Sequence, residues 1–79
     1  MDYELITKIK LLLKENGNSK MADELDEIIN YSSTGGEIVA KIGSYLIKLK
    51  NNDKVIYSKI EIECEQFLKH GRDIGLEFI

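Results

Sequence analysis

Apolar residues in this chain return three and four positions apart, and that period constrains its fold more than any other feature. Leu5, Ile6, Ile9, Leu12 and Leu13 fall on one stripe of a helix, and Met21, Ala22, Leu25, Ile28 and Ile29 repeat the spacing. Ile38, Ile42, Leu46 and Leu49 make a third stripe; Ile60, Cys64, Phe67 and Leu68 make a fourth. No segment sustains the two-residue alternation of a half-buried strand, and no proline interrupts the sequence. The pattern predicts an all-α fold, a compact antiparallel four-helix bundle joined by short polar turns. With 79 residues the chain forms a single helical domain, residues 1–79, because a chain this short buries only ~60% of its unfolded surface.

Local signals set the expected helix ends. The first helix runs from Asp2, whose carboxylate accepts from free backbone N–H groups, to Glu15, with Gly17 supplying the left-handed residue after it. The second spans Lys20 to Tyr31 with Ser19 as its cap. Thr34 and Glu37 are three apart and form a capping box that opens the third, which Asn51-Asn52-Asp53 closes. Ala40, Gly43 and Ser44 leave that helix narrow enough for a close neighbour. Ser58 and Glu61 form a second box, stapled by Tyr57 and Ile62, so the fourth helix is expected to start at Ser58 and Lys54–Tyr57 to be a linker. Gly71 and Gly75 continue its apolar line, placing its end at Gly71 or at about Ile74; Lys69, His70 and Arg72 suit either end of the helix dipole.

Composition excludes several function classes. A chain 43% hydrophobic and 32% charged is a globular domain, and its net charge of -3 offers no cationic excess to neutralise phosphates. One cysteine, Cys64, and one histidine, His70, make neither a disulfide nor a structural zinc site. Six residues apart on one helix, they point about 120° from each other and do not pair for nucleophilic chemistry. No stretch approaches the ~20 apolar residues of a membrane span and no secretory leader is visible, so a cytoplasmic location is expected. The segment YSSTGGE resembles a phosphate loop in its glycines, but no lysine follows them and Glu37 competes for the same N–H groups. The carboxylate pairs Asp23/Glu27 and Glu61/Glu65 lack the Glu-x-x-His partners of a bundle metal site. No catalytic residue, metal or cofactor is expected, and an enzyme is the least supported class.

What remains is surface charge. From Lys20 to Tyr31 the second helix carries four carboxylates and one lysine, and like charges four apart destabilise a helix unless a partner compensates. A basic protein would do so. Asp23, Glu24, Asp26, Glu27 and Tyr31 are therefore the candidate partner-binding residues, with Glu61 and Glu65 as additions. The alternative is a helix-turn-helix regulator reading DNA through Lys41, Tyr45 and Lys48. Nucleic acid is disfavoured, because that helix opens on Glu37, contains no arginine and follows an acidic helix.

The order of features also carries a resemblance: an acidic helix ELDEIIN, then SSTGGEIVAKIGSYLIKL, then a helix ending FLKHGRDIGLE. Over Met21 to Glu77, and most specifically in GGEIVAKIG and Ile74-Gly75-Leu76-Glu77, the chain resembles the small all-helical immunity proteins of bacterial polymorphic and contact-dependent toxin systems. The resemblance implies a non-catalytic inhibitor that binds a cognate toxin, expected to be a basic domain, in the cytoplasm. The mildly acidic charge departs from the strongly acidic pattern of nuclease-masking members. A bundle of this size also buries more surface by pairing with a second copy, so a homodimer is a further expectation.

Overall fold

The computed structural model describes residues 3–76, and these form four helices: α1 (Tyr3–Glu15), α2 (Ser19–Tyr31), α3 (Gly35–Asn52) and α4 (Lys54–Asp73). No strand occurs among the described residues. The cap expected at Asp2 lies outside them, as does Glu77.

The helix ends show which local signals prevail. Gly17 takes φ 78°, and its N–H donates to the Lys14 carbonyl while Asn18 N–H donates to that of Leu13. This paired return to the last turn is a Schellman ending. α4 finishes the same way: Gly75 has φ 94°, Gly75 N–H donates to Arg72 and Leu76 N–H to Gly71. The helix thus passes Gly71 and stops at Asp73. At the start of α3, Glu37 N–H donates to Thr34 Oγ1 at 3.1 Å. The Glu37 carboxylate returns one residue further than a standard box, accepting from Ser33 N–H at 3.0 Å.

Two expected starts are corrected. Ser19 is the first residue of α2; Asn18 holds the cap position and makes no side-chain cap bond, its amide donating to the Asn16 carbonyl instead. α4 begins at Lys54, so Lys54–Tyr57 is the helix's first turn and not a linker. Asp53 is the reason: its carboxylate accepts from Ile56 N–H at 3.2 Å, while its own N–H donates to the Leu49 carbonyl at 2.8 Å. One residue ends α3 and opens α4. The Ser58 hydroxyl donates back to the Val55 carbonyl at 2.7 Å, and Ile62 is 70% exposed, so neither box nor staple forms there.

Each helix packs on two others, closing a ring: α3 on α4, α1 on α2 and on α4, and α2 on α3 along the thinnest side. The backbones of the diagonal pairs, α1 with α3 and α2 with α4, do not approach closely. The stripes meet at the centre, where Ile6, Ile9, Leu13, Leu25, Ile42, Leu46, Ile60, Phe67 and Leu68 are all but inaccessible. Burying each such side chain stabilises the fold by about 1.5–3 kcal/mol. No buried polar side-chain atom among the described residues lacks a hydrogen-bond partner. The domain measures 31 × 22 × 21 Å. α4, with 20 residues at ~1.5 Å each, is about as long as the largest of these dimensions.

Polar ties fasten three sides of this ring. Lys10 Nζ stands 2.6 Å from Asp26 Oδ1 between α1 and α2, and the Tyr45 hydroxyl donates to Glu24 Oε2 at 3.2 Å between α3 and α2. Between α3 and α4, Lys50 lies 3.5 Å from Glu65 and 5.7 Å from the centre of the Tyr57 ring. Tyr57 is buried, and its hydroxyl donates to the same Glu65 carboxylate. Cys64 is buried as well, and burial pushes its thiol up to about 12, which leaves it unreactive.

Candidate functional site

The thin α2–α3 side is a surface groove, and the residues that build it come from matching helix edges. Met21, Glu24, Ile28 and Tyr31 follow one another at spacings of three, four and three along α2; Lys41, Tyr45, Lys48 and Asn52 follow at four, three and four along α3. The groove opens into three depressions. The first, about 410 Å³, is lined by Ile28, Ala40, Lys41, Ser44, Tyr45 and Lys48. The second, about 350 Å³, is lined by Glu24, Glu27, Ile28, Tyr31, Lys41 and Tyr45. The third, also about 350 Å³, lies at the other end among Met21, Tyr45, Lys48, Leu49, Asn52 and Asp53. Early residues of α2 thus meet late residues of α3, so the two helices run antiparallel. Tyr45 borders all three.

This groove divides by charge. Its α2 wall carries Glu24 and Glu27, its α3 wall Lys41 and Lys48, and the floor between them is Ile28, Ala40 and the Tyr45 ring. Lys41 is paired along its own helix with Glu37, Nζ to Oε1 2.7 Å. That ammonium, followed by the Ser33 N–H, holds the Glu37 carboxyl below the usual carboxylate range. Glu27 and Lys48 make no ion pair among the described residues. Burial, reinforced by the Glu24 charge, pushes the Tyr45 phenol up to about 12.

The seven residues expected at a partner surface separate into two groups. Glu24, Asp26 and Glu65 are tied to partners on neighbouring elements of the bundle surface, to Tyr45, to Lys10, and to Tyr57 and Lys50 respectively. The Tyr57 hydrogen bond is the main reason the Glu65 carboxyl lies below its usual range. Asp23, Glu27, Tyr31 and Glu61 are exposed and make no side-chain hydrogen bond or ion pair among the described residues. Tyr31 is 81% exposed, which removes core packing as the explanation for that aromatic. Glu61 and Glu65 stand on α4, diagonal to α2, so the two acidic clusters do not share a patch.

The same geometry bears on the other constellations. In the YSSTGGE turn Glu37 N–H donates to Thr34 Oγ1 and Ser33 N–H donates to the Glu37 carboxylate, which sits where an anion would. Lys41 and Lys48 share their groove with Glu24 and Glu27, which lowers its attraction for a phosphate backbone. His70 borders a shallow depression with Leu5, Gln66, Lys69 and Asp73, while Cys64 faces the core. Among the described residues no three His, Cys, Asp or Glu side chains converge as a metal site, and no helix is long and apolar enough to cross a membrane.

Sequence reasoning missed the groove as a unit. Ala40 and Ser44 were legible as small residues, but they line an open depression, whereas Gly43 is buried. Nothing in the spacing of α2 or α3 alone states that their edges fail to close.

No protein-family profile matches the chain, and no solved structure matches it. Among curated proteins, it is similar to thymidylate kinase of Prochlorococcus marinus (strain MIT 9301), 33% identical over 72 residues. The match takes in 91% of this chain, which spans about a third (33%) of that relative's length. The Gly-x-x-x-x-Gly-Lys-Ser/Thr sequence with which P-loop enzymes hold a nucleotide's phosphates occurs nowhere in the 79 residues.

Proposed function

We propose that the protein is a non-catalytic inhibitor of the immunity type, which binds and neutralises a basic toxin domain through the outward edge of α2. One observation carries this reading: Asp23 and Glu27 stand on that edge without an ion-pair partner among the described residues, next to Tyr31 at 81% exposure. An uncompensated carboxylate pair four apart is mildly unfavourable in the free helix, and a cationic partner removes the penalty. Its complementary charge also speeds encounter, and an exposed tyrosine beside it supplies the rigid aromatic contact that anchors interfaces. The acidic residues already tied to Lys10, Tyr45 and Lys50 hold the bundle, so binding falls to Asp23, Glu27 and Tyr31.

Co-expression with the product of the adjacent reading frame tests it. Wild-type protein is expected to relieve that product's toxicity and to form a complex whose association slows at high salt. The double variant Asp23→Lys/Glu27→Lys should keep its helical spectrum and lose most of the protection. Equal protection by wild type and variant would remove the α2 assignment. Salt-sensitive retention of duplex DNA, abolished by Lys41→Glu/Lys48→Glu, would replace inhibition with the regulator reading.

A further inference from the structure

From the α1–α2 turn we infer that Asn16 is a site of spontaneous covalent modification, deamidation through a cyclic imide, which the glycine ending of α1 holds shut until the helix end opens. Asn16 alone among the asparagines precedes a glycine; Asn18, Asn30, Asn51 and Asn52 precede Ser19, Tyr31, Asn52 and Asp53. Gly17 carries no side chain to obstruct attack by its own nitrogen, and its backbone turns freely once released. Both residues are exposed. The reaction needs water and no other reagent. The Gly17 nitrogen gives up its proton and bonds Asn16 Cγ, the Cγ–Nδ2 bond breaks, and Nδ2 leaves as ammonia with a proton in place of the one given up. Water then opens the imide at either carbonyl, leaving aspartate at position 16 or its β-linked isomer.

Three hydrogen bonds oppose that reaction in the closed turn. Gly17 N–H donates to the Lys14 carbonyl at 3.1 Å, Asn16 Nδ2 to the Leu12 carbonyl at 2.8 Å, and Asn18 N–H to the Leu13 carbonyl at 2.7 Å. The first engages the proton that must leave, and the second engages the group that must be expelled. The third fastens the chain just beyond Gly17, whose φ is 78°. Attack therefore waits on local opening of the helix end, which costs less than unfolding the whole domain. The product then works against the ending that delayed it. An aspartate has no N–H to give the Leu12 carbonyl, and its charge falls at the C-terminal end of α1, where the helix dipole disfavours it. Each conversion also makes the chain one charge more negative than its present -3. None of this depends on toxin binding.

Peptide mass spectrometry of the full chain, aged in mildly alkaline buffer, tests it. Trypsin cuts after Lys14 and Lys20 and so isolates residues 15–20, in which fragmentation separates Asn16 from Asn18. The folded chain is expected to gain the acid at Asn16 before any other asparagine. Unfolded in guanidinium chloride, it should do so faster by roughly tenfold or more, because the opening step is no longer needed. Asn16→Asp, standing in for the product, should speed hydrogen exchange at the Asn18 N–H by about two- to fivefold, with exchange in the buried turns of α3 unchanged. Equal rates in the folded and unfolded chain, earlier conversion at Asn18, Asn30, Asn51 or Asn52, a folded Asn16 that stays intact through prolonged ageing, or Asn18 exchange unmoved by Asn16→Asp would overturn the assignment.

Discussion

The Tyr45 hydroxyl donates to Glu24 Oε2 across 3.2 Å, joining the two adjacent helices of the ring that pack least closely. The contact decides two properties at once: it levels α2 against α3, and it takes Glu24 out of the set of free surface carboxylates. A hydrogen bond to a charged acceptor contributes about 1.5–3 kcal/mol when sheltered and less where water competes. Tyr45→Phe keeps the ring in the groove and removes the bond, so it should cost about 1 kcal/mol in urea unfolding.

Tyr45 and Tyr57 should also mark themselves in alkali. Burial, followed for Tyr45 by the Glu24 charge, pushes its phenol up to about 12, and burial with the Glu65 hydrogen bond raises Tyr57 further. In the unfolded chain both lose their protons near pH 10. Above that pH the unfolded state binds fewer protons than the folded one, so stability falls as pH rises through the folded value. Below it both states are protonated and the contribution is constant. Absorbance titration should show two of the four tyrosines ionising late, and Tyr45→Phe should leave one.

Acid acts through Glu37 and Glu65. Both carboxyls lie below the usual range, Glu37 chiefly through Lys41 and Glu65 chiefly through the Tyr57 hydroxyl. As pH falls below the ordinary glutamate value of about 4.3, the unfolded chain takes up these protons first. Stability present above that pH is then lost until the folded groups protonate as well. Thermal melts of Glu65→Gln should show a shallower acid decline than wild type. An unchanged slope would mean that the Tyr57–Glu65 contact carries no weight in solution.

Asp53 is the junction to test by mutation. Asp53→Ala removes the carboxylate that accepts from Ile56 N–H and should cost about 1 kcal/mol. Ser58→Ala, at the alternative start signal, should stay within about 0.5 kcal/mol. Equal losses in urea melts would mean that the first turn of α4 frays.

Core and surface positions on α3 and α4 should differ sharply. Leu46 is fully buried, and Leu46→Ala leaves a cavity costing about 2–5 kcal/mol, a large part of the stability of a domain this small. Ile62, 70% exposed on the outer face of α4, should tolerate alanine within about 0.5 kcal/mol.

The helical period alone determined the number of helices, their inward stripes and the absence of a strand among the described residues, because burial of one face is set by spacings of three and four. It also marked the Thr34 cap and the glycine endings, which depend on a few neighbouring backbone groups. The start of α4 was not legible. Asp53 and Ser58 both carry start signals, and the choice rests on whether Tyr57 is buried, which depends on α3 lying alongside. The fate of the carboxylates was likewise hidden: Asp26 meets Lys10 from 16 residues away and Glu24 meets Tyr45 from 21. Local sequence orders groups along one helix, whereas the charges that stay free and the groove that stays open follow from which helices become neighbours.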